Sequence, residues 1–135
     1  MHYTLHYNGD LSCDAVHLSS GTQILTDAPP DNQGLGRSFS PTDLLSTSLA
    51  ACMMTIMGIK ARDMGIDLTG SRAEVTKTMG GPPRRVAEVG VRLIMKGVPD
   101  DGRTRPLLEA VAHACPVAKS LHPDVRQAVS FEYVD

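Results

Sequence analysis

From Leu44 to Ile59 the chain carries no charged residue, and this run follows directly on Ser40-Pro41-Thr42-Asp43. Serine is a favoured N-cap, proline suits the first helical position, and an acid three residues after the cap completes a capping box. Leu45, Leu49, Cys52, Ile56 and Ile59 then recur at steps of three and four, and Lys60, Arg62 and Gly65 supply a C-terminal charge and stop. The pattern predicts one helix of about 24 residues, roughly 36 Å long. Met53, Met54 and Met57 fill its other faces, so the middle is apolar nearly all round and must be covered on more than one side. One chain of 135 residues does not supply that cover easily; a partner copy does.

The remaining bulk properties narrow the class. The length fits a single domain over residues 1–135. Lys and Arg number 13 against 15 Asp and Glu, a net charge of -2, which leaves no basic surplus for nucleic acid or an anionic membrane. The uncharged run is shorter than the roughly 20 residues of a bilayer span and contains Ser46, Thr47, Ser48 and Thr55, so it reads as a buried helix. The N-terminal MHYTLHYNGD lacks the cationic-then-apolar order of a secretory signal, and the cytoplasm is the expected compartment. Three cysteines without a C-x-x-C pair form neither a disulfide framework nor a zinc site, and the five histidines show no ligand spacing, so no metal or cofactor is expected.

Around the helix the chain reads as α+β. YTLHY, DAVHL and TQILTD alternate about Asn8-Gly9-Asp10 and Ser19-Ser20-Gly21, as three short antiparallel strands do. Residues 28–39, APPDNQGLGRSF, lack any apolar period and read as a loop. After the long helix, Leu68 to Met79 and Val86 to Met95 form a β-hairpin with Gly80-Gly81-Pro82-Pro83 at its tip. Arg105 to Cys115 reads as a second helix that Pro116 ends, placing Cys115 at a helix C-terminus, and VRQAVSFEYV as a final edge strand.

Position alone favours a packing role for Cys52 and Cys115, because most cysteines outside disulfides behave as small buried hydrophobes. Nor does the helix dipole activate either: Cys52 lies about three turns from the positive end, and Cys115 is expected at a negative one. A reactive Cys52 therefore needs an imported cation. Arg37, in the loop before the helix, is the nearest in sequence, with a solvated loop charge as the alternative. Asp43 is the nearby acid that would orient such an arginine, or else simply the capping-box partner of Ser40. A cysteine–histidine pair using His113 or His122 stays open, while Cys13 in its alternating strand reads as structural.

Two segments together carry a family likeness. Ser40-Pro41-Thr42-Asp43-Leu44-Leu45 with Cys52, and Ala114-Cys115-Pro116-Val117-Ala118-Lys119-Ser120-Leu121-His122-Pro123, resemble the two cysteine motifs of the OsmC/Ohr organic hydroperoxide reductases. Thr26-Asp27-Ala28-Pro29, Asp31-Asn32 and Gly34 to Met57 are most similar to the shorter OsmC-like branch. The resemblance implies an intertwined homodimer built around the long helices. It also implies a thiol peroxidase in which Cys52 attacks an organic hydroperoxide, Cys115 resolves the sulfenic acid as a Cys52–Cys115 disulfide, and a dithiol, a lipoylated protein among relatives, reopens it. Leu49, Met53, Met54 and Met57 would line the approach of an apolar peroxide.

In such proteins an arginine held by a glutamate stabilises the thiolate. Thr42 stands at the glutamate position, ten residues before Cys52, and Ser12 at one arginine position, which leaves Arg37 for the cation. Asp43 is a poor replacement carboxylate, since nine residues at 100° each turn it about 180° from Cys52. Two other readings stand beside the peroxidase: a non-enzymatic dimeric stress or binding protein that keeps the fold, and a cysteine-based hydrolase.

Overall fold

A computed structural model describes all residues, Met1–Asp135. The chain forms two compact units, Met1–Leu45 and Ser46–Asp135. In the first, strands β1 (Tyr3–Gly9), β2 (Ser12–His17) and β3 (Gln23–Asp27) make an antiparallel meander in the order β1-β2-β3. Asp10 and Leu11 take left-handed conformations at the first turn. The register sets Leu5 beside Ala15 and Ala15 beside Ile24, and it sets Tyr7 beside Cys13. Because side chains alternate along a strand, Tyr3, Leu5, Tyr7, Cys13, Ala15 and Ile24 share one face. That face is open: Tyr3, Leu5 and Tyr7 are 67–68% exposed.

The loop that follows contains only a 3-10 turn, Pro30–Asn32, and leads to helix α1 (Pro41–Asp63). The helix starts where the sequence places it, with Asp43 N–H donating to Ser40 Oγ at 3.0 Å and Ser40 N–H donating to Asp43 Oδ2 at 2.9 Å. By length and composition α1 is apolar enough to cross a membrane. One side of it is nevertheless committed to the protein core through Leu49, Ala50, Met53, Met57 and Ala61.

In the second unit β4 (Arg72–Gly80) and β5 (Arg85–Lys96) form the expected hairpin, and β6 (Arg126–Val134) joins the far side of β5 in parallel, giving the order β4-β5-β6. A parallel pair needs a long crossover, here α2 (Thr104–His113) and the short α3 (Pro116–Ser120). Strand β4 begins at Arg72 rather than Leu68, since Asp67 caps a turn through Thr69 and Gly70 has a positive φ of 92°. Val89, Val91, Leu93 and Met95, alternate residues of β5, are at most 2% exposed and share a core with α1 and with Leu108 and Ala112 of α2. The other face of this sheet carries an ion-pair chain, Arg72 to Glu74, Glu74 to Arg92 and Arg92 to Glu132. Helix α2 is started by Asp101, whose carboxylate accepts the N–H groups of Arg103 and Thr104 and the Thr104 hydroxyl at 2.7–2.9 Å.

Candidate functional site

Cys52 sits at the margin of the α1 core face. It is half-buried, one step of helix away from the buried Leu49 and Met53 and next to the exposed Ala51 and Thr55. Cys115 is fully buried. Both are free thiols, and they interact with each other although 63 residues separate them in sequence. Burial pushes the Cys115 thiol above its ordinary pKa; the Ala118 N–H opposes this, and the neighbouring Cys52 thiol adds to the rise.

The structure corrects the local setting of Cys115. Helix α2 ends at His113, and Cys115, with φ -63° and ψ 150°, is the N-cap of α3. Ala118 N–H donates to Cys115 Sγ at 3.4 Å. The reason lies in Pro116, which both ends one helix and, at the first position of another, starts it. A residue before proline is also driven to extended backbone, as an N-cap requires. Cys115 thus faces backbone donors, not the carbonyl end of a helix.

Of the two sequence readings of Asp43, the structure shows the capping-box partner of Ser40 and not the carboxylate that orients Arg37. The carboxylate that grips Arg37 is Asp27, at the end of β3, not Asp43. Arg37 Nε donates to Asp27 Oδ2 at 2.7 Å, Nη2 to Oδ1 at 2.9 Å, and the Arg37 backbone N–H to Oδ2 at 2.9 Å. Asp27 is 1% exposed, and the Arg37 guanidinium holds its carboxyl far below the usual carboxylate range against the opposing effect of burial, with help from the Arg37 backbone N–H and the Ser12 hydroxyl. Asp43 instead closes the capping box with Ser40.

The loop bearing Arg37 is accordingly held in place. Gly36 N–H donates to Ala28 O, Asp27 N–H to Phe39 O and Ser38 Oγ to Leu25 O. A Cβ at Gly34 would meet Ala28 O at 1.7 Å, so glycine is required there. Sequence reading missed Asp27; an acid paired across the strands with Ser12, ten residues before a loop arginine, was the signal available.

The predicted apolar approach is also revised. Leu49, Met53 and Met57 are 0% exposed and belong to the core, so they present no surface to a substrate. Met54 alone of the four is half-buried, and it lines a cavity of about 660 Å³ with Ile59, Arg62, Leu68 and Met95. Neither histidine candidate reaches a cysteine. His113 is exposed and packs edge-on against Phe131 at 5.7 Å, and His122 Nδ1 accepts the Asp124 N–H. Cys13 is half-buried in β2 between Tyr7 and Thr26.

Comparison with known proteins places these features in a family. The model of the OsmC-like proteins matches residues 33–130. A crystal structure from Psychrobacter arcticus, named for an osmotic stress induced and detoxification response, is 53% identical, with a TM-score of 0.93 over 98% of this chain and 96% of that one. An OsmC-like protein from Mycoplasma pneumoniae is 20% identical with a TM-score of 0.77, covering 98% and 96% of the two chains. A Legionella pneumophila structure, named an organic hydroperoxide resistance protein, is 18% identical with a TM-score of 0.71, covering 96% and 94%. A search of curated proteins finds no match. With the family model matched over residues 33–130 and a 53% identical structure aligned along nearly its whole length, the chain belongs to the OsmC-like protein family.

Proposed function

We propose that the protein is a thiol-dependent peroxidase that reduces organic hydroperoxides in oxidative stress defence. The observation that carries this reading is the pairing of Cys52 and Cys115, two free thiols from separate elements that meet in one unit. Their environments divide the labour. Cys52, half-buried, is the thiol a peroxide reaches; Cys115, buried and held protonated to higher pH, waits as the second thiol. The Cys52 thiolate attacks a peroxide oxygen, the O–O bond breaks, and the alcohol leaves. Cys115 condenses with the resulting sulfenic acid, releasing water and forming the disulfide, and a dithiol such as a lipoylated protein restores both thiols. Family membership and relatives named for hydroperoxide resistance support the coarser role in stress response.

The role of Arg37 as the cation that favours the Cys52 thiolate rests on the sequence resemblance; the structure adds that its guanidinium is already oriented by Asp27. A homodimer in a reducing cytoplasm completes the reading. It would cover the open side of α1, where Leu45, Ser48, Ala51, Thr55, Ile59 and Arg62 are exposed. Mass spectrometry after one equivalent of cumene hydroperoxide tests the chemistry: a Cys52–Cys115 disulfide is expected, and oxidation confined to Cys13 overturns it. Cys52→Ser should abolish turnover, and Cys115→Ser should allow one sulfenic acid per chain without recycling.

A further inference from the structure

A disulfide between Cys52 and Cys115 offers an incoming thiol two unequal sulfurs. Cys115 is 0% exposed, and its Sγ already accepts the Ala118 N–H at 3.4 Å. Cys52 is half-buried at the edge of α1. We infer that the recycling dithiol attacks Sγ of Cys52, and that Cys115 is the sulfur expelled. This direction of exchange rests on the peroxidase reading above, because it requires that disulfide.

Thiol–disulfide exchange needs the nucleophile in line with the S–S bond; the raised pKa of Cys115 makes it the slower leaving group, and access outweighs this because a sulfur that is 0% exposed cannot be struck. Cys115 is covered by its own chain, so a second copy seated on the exposed side of α1 adds cover near Cys52 without uncovering Cys115. Reaching it would require opening the corner between α2 and α3. That corner is tied by Cys115 N–H to Ala112 O at 3.2 Å, Lys119 N–H to Cys115 O at 3.1 Å and Gln127 Nε2 to Ala118 O at 3.0 Å. Expulsion of Cys115 also places the new negative charge where backbone N–H groups already point at the sulfur, which offsets part of the cost of charging a buried atom.

The steps balance. One reductant thiolate bonds to Cys52 Sγ as the Sγ–Sγ bond breaks, and Cys115 leaves as a thiolate that takes a proton from the second reductant thiol. That second thiolate attacks the reductant's own sulfur in the mixed disulfide, forming the oxidised cyclic reductant and releasing Cys52 as thiolate. Two electrons pass from the dithiol to the protein disulfide.

The test uses the full chain carrying Cys13→Ser, oxidised with one equivalent of cumene hydroperoxide or with diamide. The bridged protein is mixed with N-acetylcysteamine, a monothiol that cannot cyclise, then trapped rapidly with N-ethylmaleimide and mapped by mass spectrometry. The expected product carries the monothiol on Cys52 and maleimide on Cys115, in at least about tenfold excess over the reverse. A monothiol found mainly on Cys115 overturns the inference while leaving the peroxidase intact. If diamide forms the bridge and peroxide does not, the peroxidase reading fails, and the direction of exchange is still read from the diamide product. If neither forms it, both fall. As a second measurement, Ellman's reagent should load Cys52 in the Cys115→Ser protein at least about tenfold faster than Cys115 in the Cys52→Ser protein; equal rates remove the asymmetry on which the inference depends.

Discussion

The two units solve the same problem, a three-stranded sheet with an apolar face, in opposite ways. In Ser46–Asp135 the inner face of β5 is buried to 2% or less beneath helices. In Met1–Leu45 the corresponding face, Tyr3, Leu5, Tyr7 and Ile24, stands 48–68% exposed, and no residue of this unit enters the apolar core. What fixes the first unit internally is polar: the buried Asp27 gripping Arg37, with loop hydrogen bonds around it. One fold can therefore bury the face of one sheet in its own core and leave the face of another exposed.

The largest effect should come from breaking the covered sheet. Leu93→Ala removes a fully buried side chain facing α1 and α2 residues and should cost about 2–5 kcal/mol in denaturant unfolding. A cost below about 1 kcal/mol would mean that the second unit does not depend on this core. The open sheet should respond differently. Leu5→Ser leaves the intramolecular core untouched but removes an apolar contact worth about 2 kcal/mol per protomer if a second copy covers that face. Sedimentation should then show the dimer dissociating at a concentration at least about tenfold higher, and an unchanged association constant would separate the exposed face from assembly.

The polar clamp of the first unit is next in size and has a pH signature. Asp27 is held below its ordinary carboxylate range, so its contribution is fully present above about pH 4 and is lost only as acid enters that depressed range. Asp101, lowered to about 2 by the Thr104 and Arg103 donors, behaves alike at the start of α2, losing its contribution between about pH 4 and pH 2. Asp27→Asn should speed amide exchange in residues 28–39 by about tenfold at neutral pH without altering the β5 amides. Equal protection in wild type and variant would show that the loop bonds alone hold Arg37.

The contrast between units also explains what was legible in the sequence. Helix α1 announced itself because cap, proline and apolar period coincide in a single stretch from Ser40 to Ile59. The hairpin and meander followed from alternation and turn residues. Of the candidate site, the two cysteine motifs singled out Cys52 and Cys115, which the structure brings into contact, but spacing along the chain sets no distance between sulfurs. Asp27 was missed because its role depends on a strand end meeting a loop ten residues on, a tertiary event with no local period. Cys115 was given the wrong helix end because Pro116 was read only as a terminator; Cys-Pro also encodes an extended N-cap followed by a first helical residue. The methionines of α1 were assigned to a substrate path because composition shows that a face is apolar and not what lies against it.

A smaller effect probes how the covered unit closes its far edge. Tyr133 near the end of β6 donates its hydroxyl to Glu109 Oε2 of α2 at 2.8 Å, while the Arg105 guanidinium lies 4.3 Å above its ring. Burial, reinforced by Glu109, pushes the phenol well above its ordinary pKa, so it remains a donor throughout the stable range. Tyr133→Phe keeps the ring and its cation contact and removes one hydrogen bond, which should cost about 1 kcal/mol. If the loss instead matches that of Leu93→Ala, the edge of the second unit is held by this polar contact as firmly as its centre is by packing, and the contrast between the two units narrows to their exposed faces.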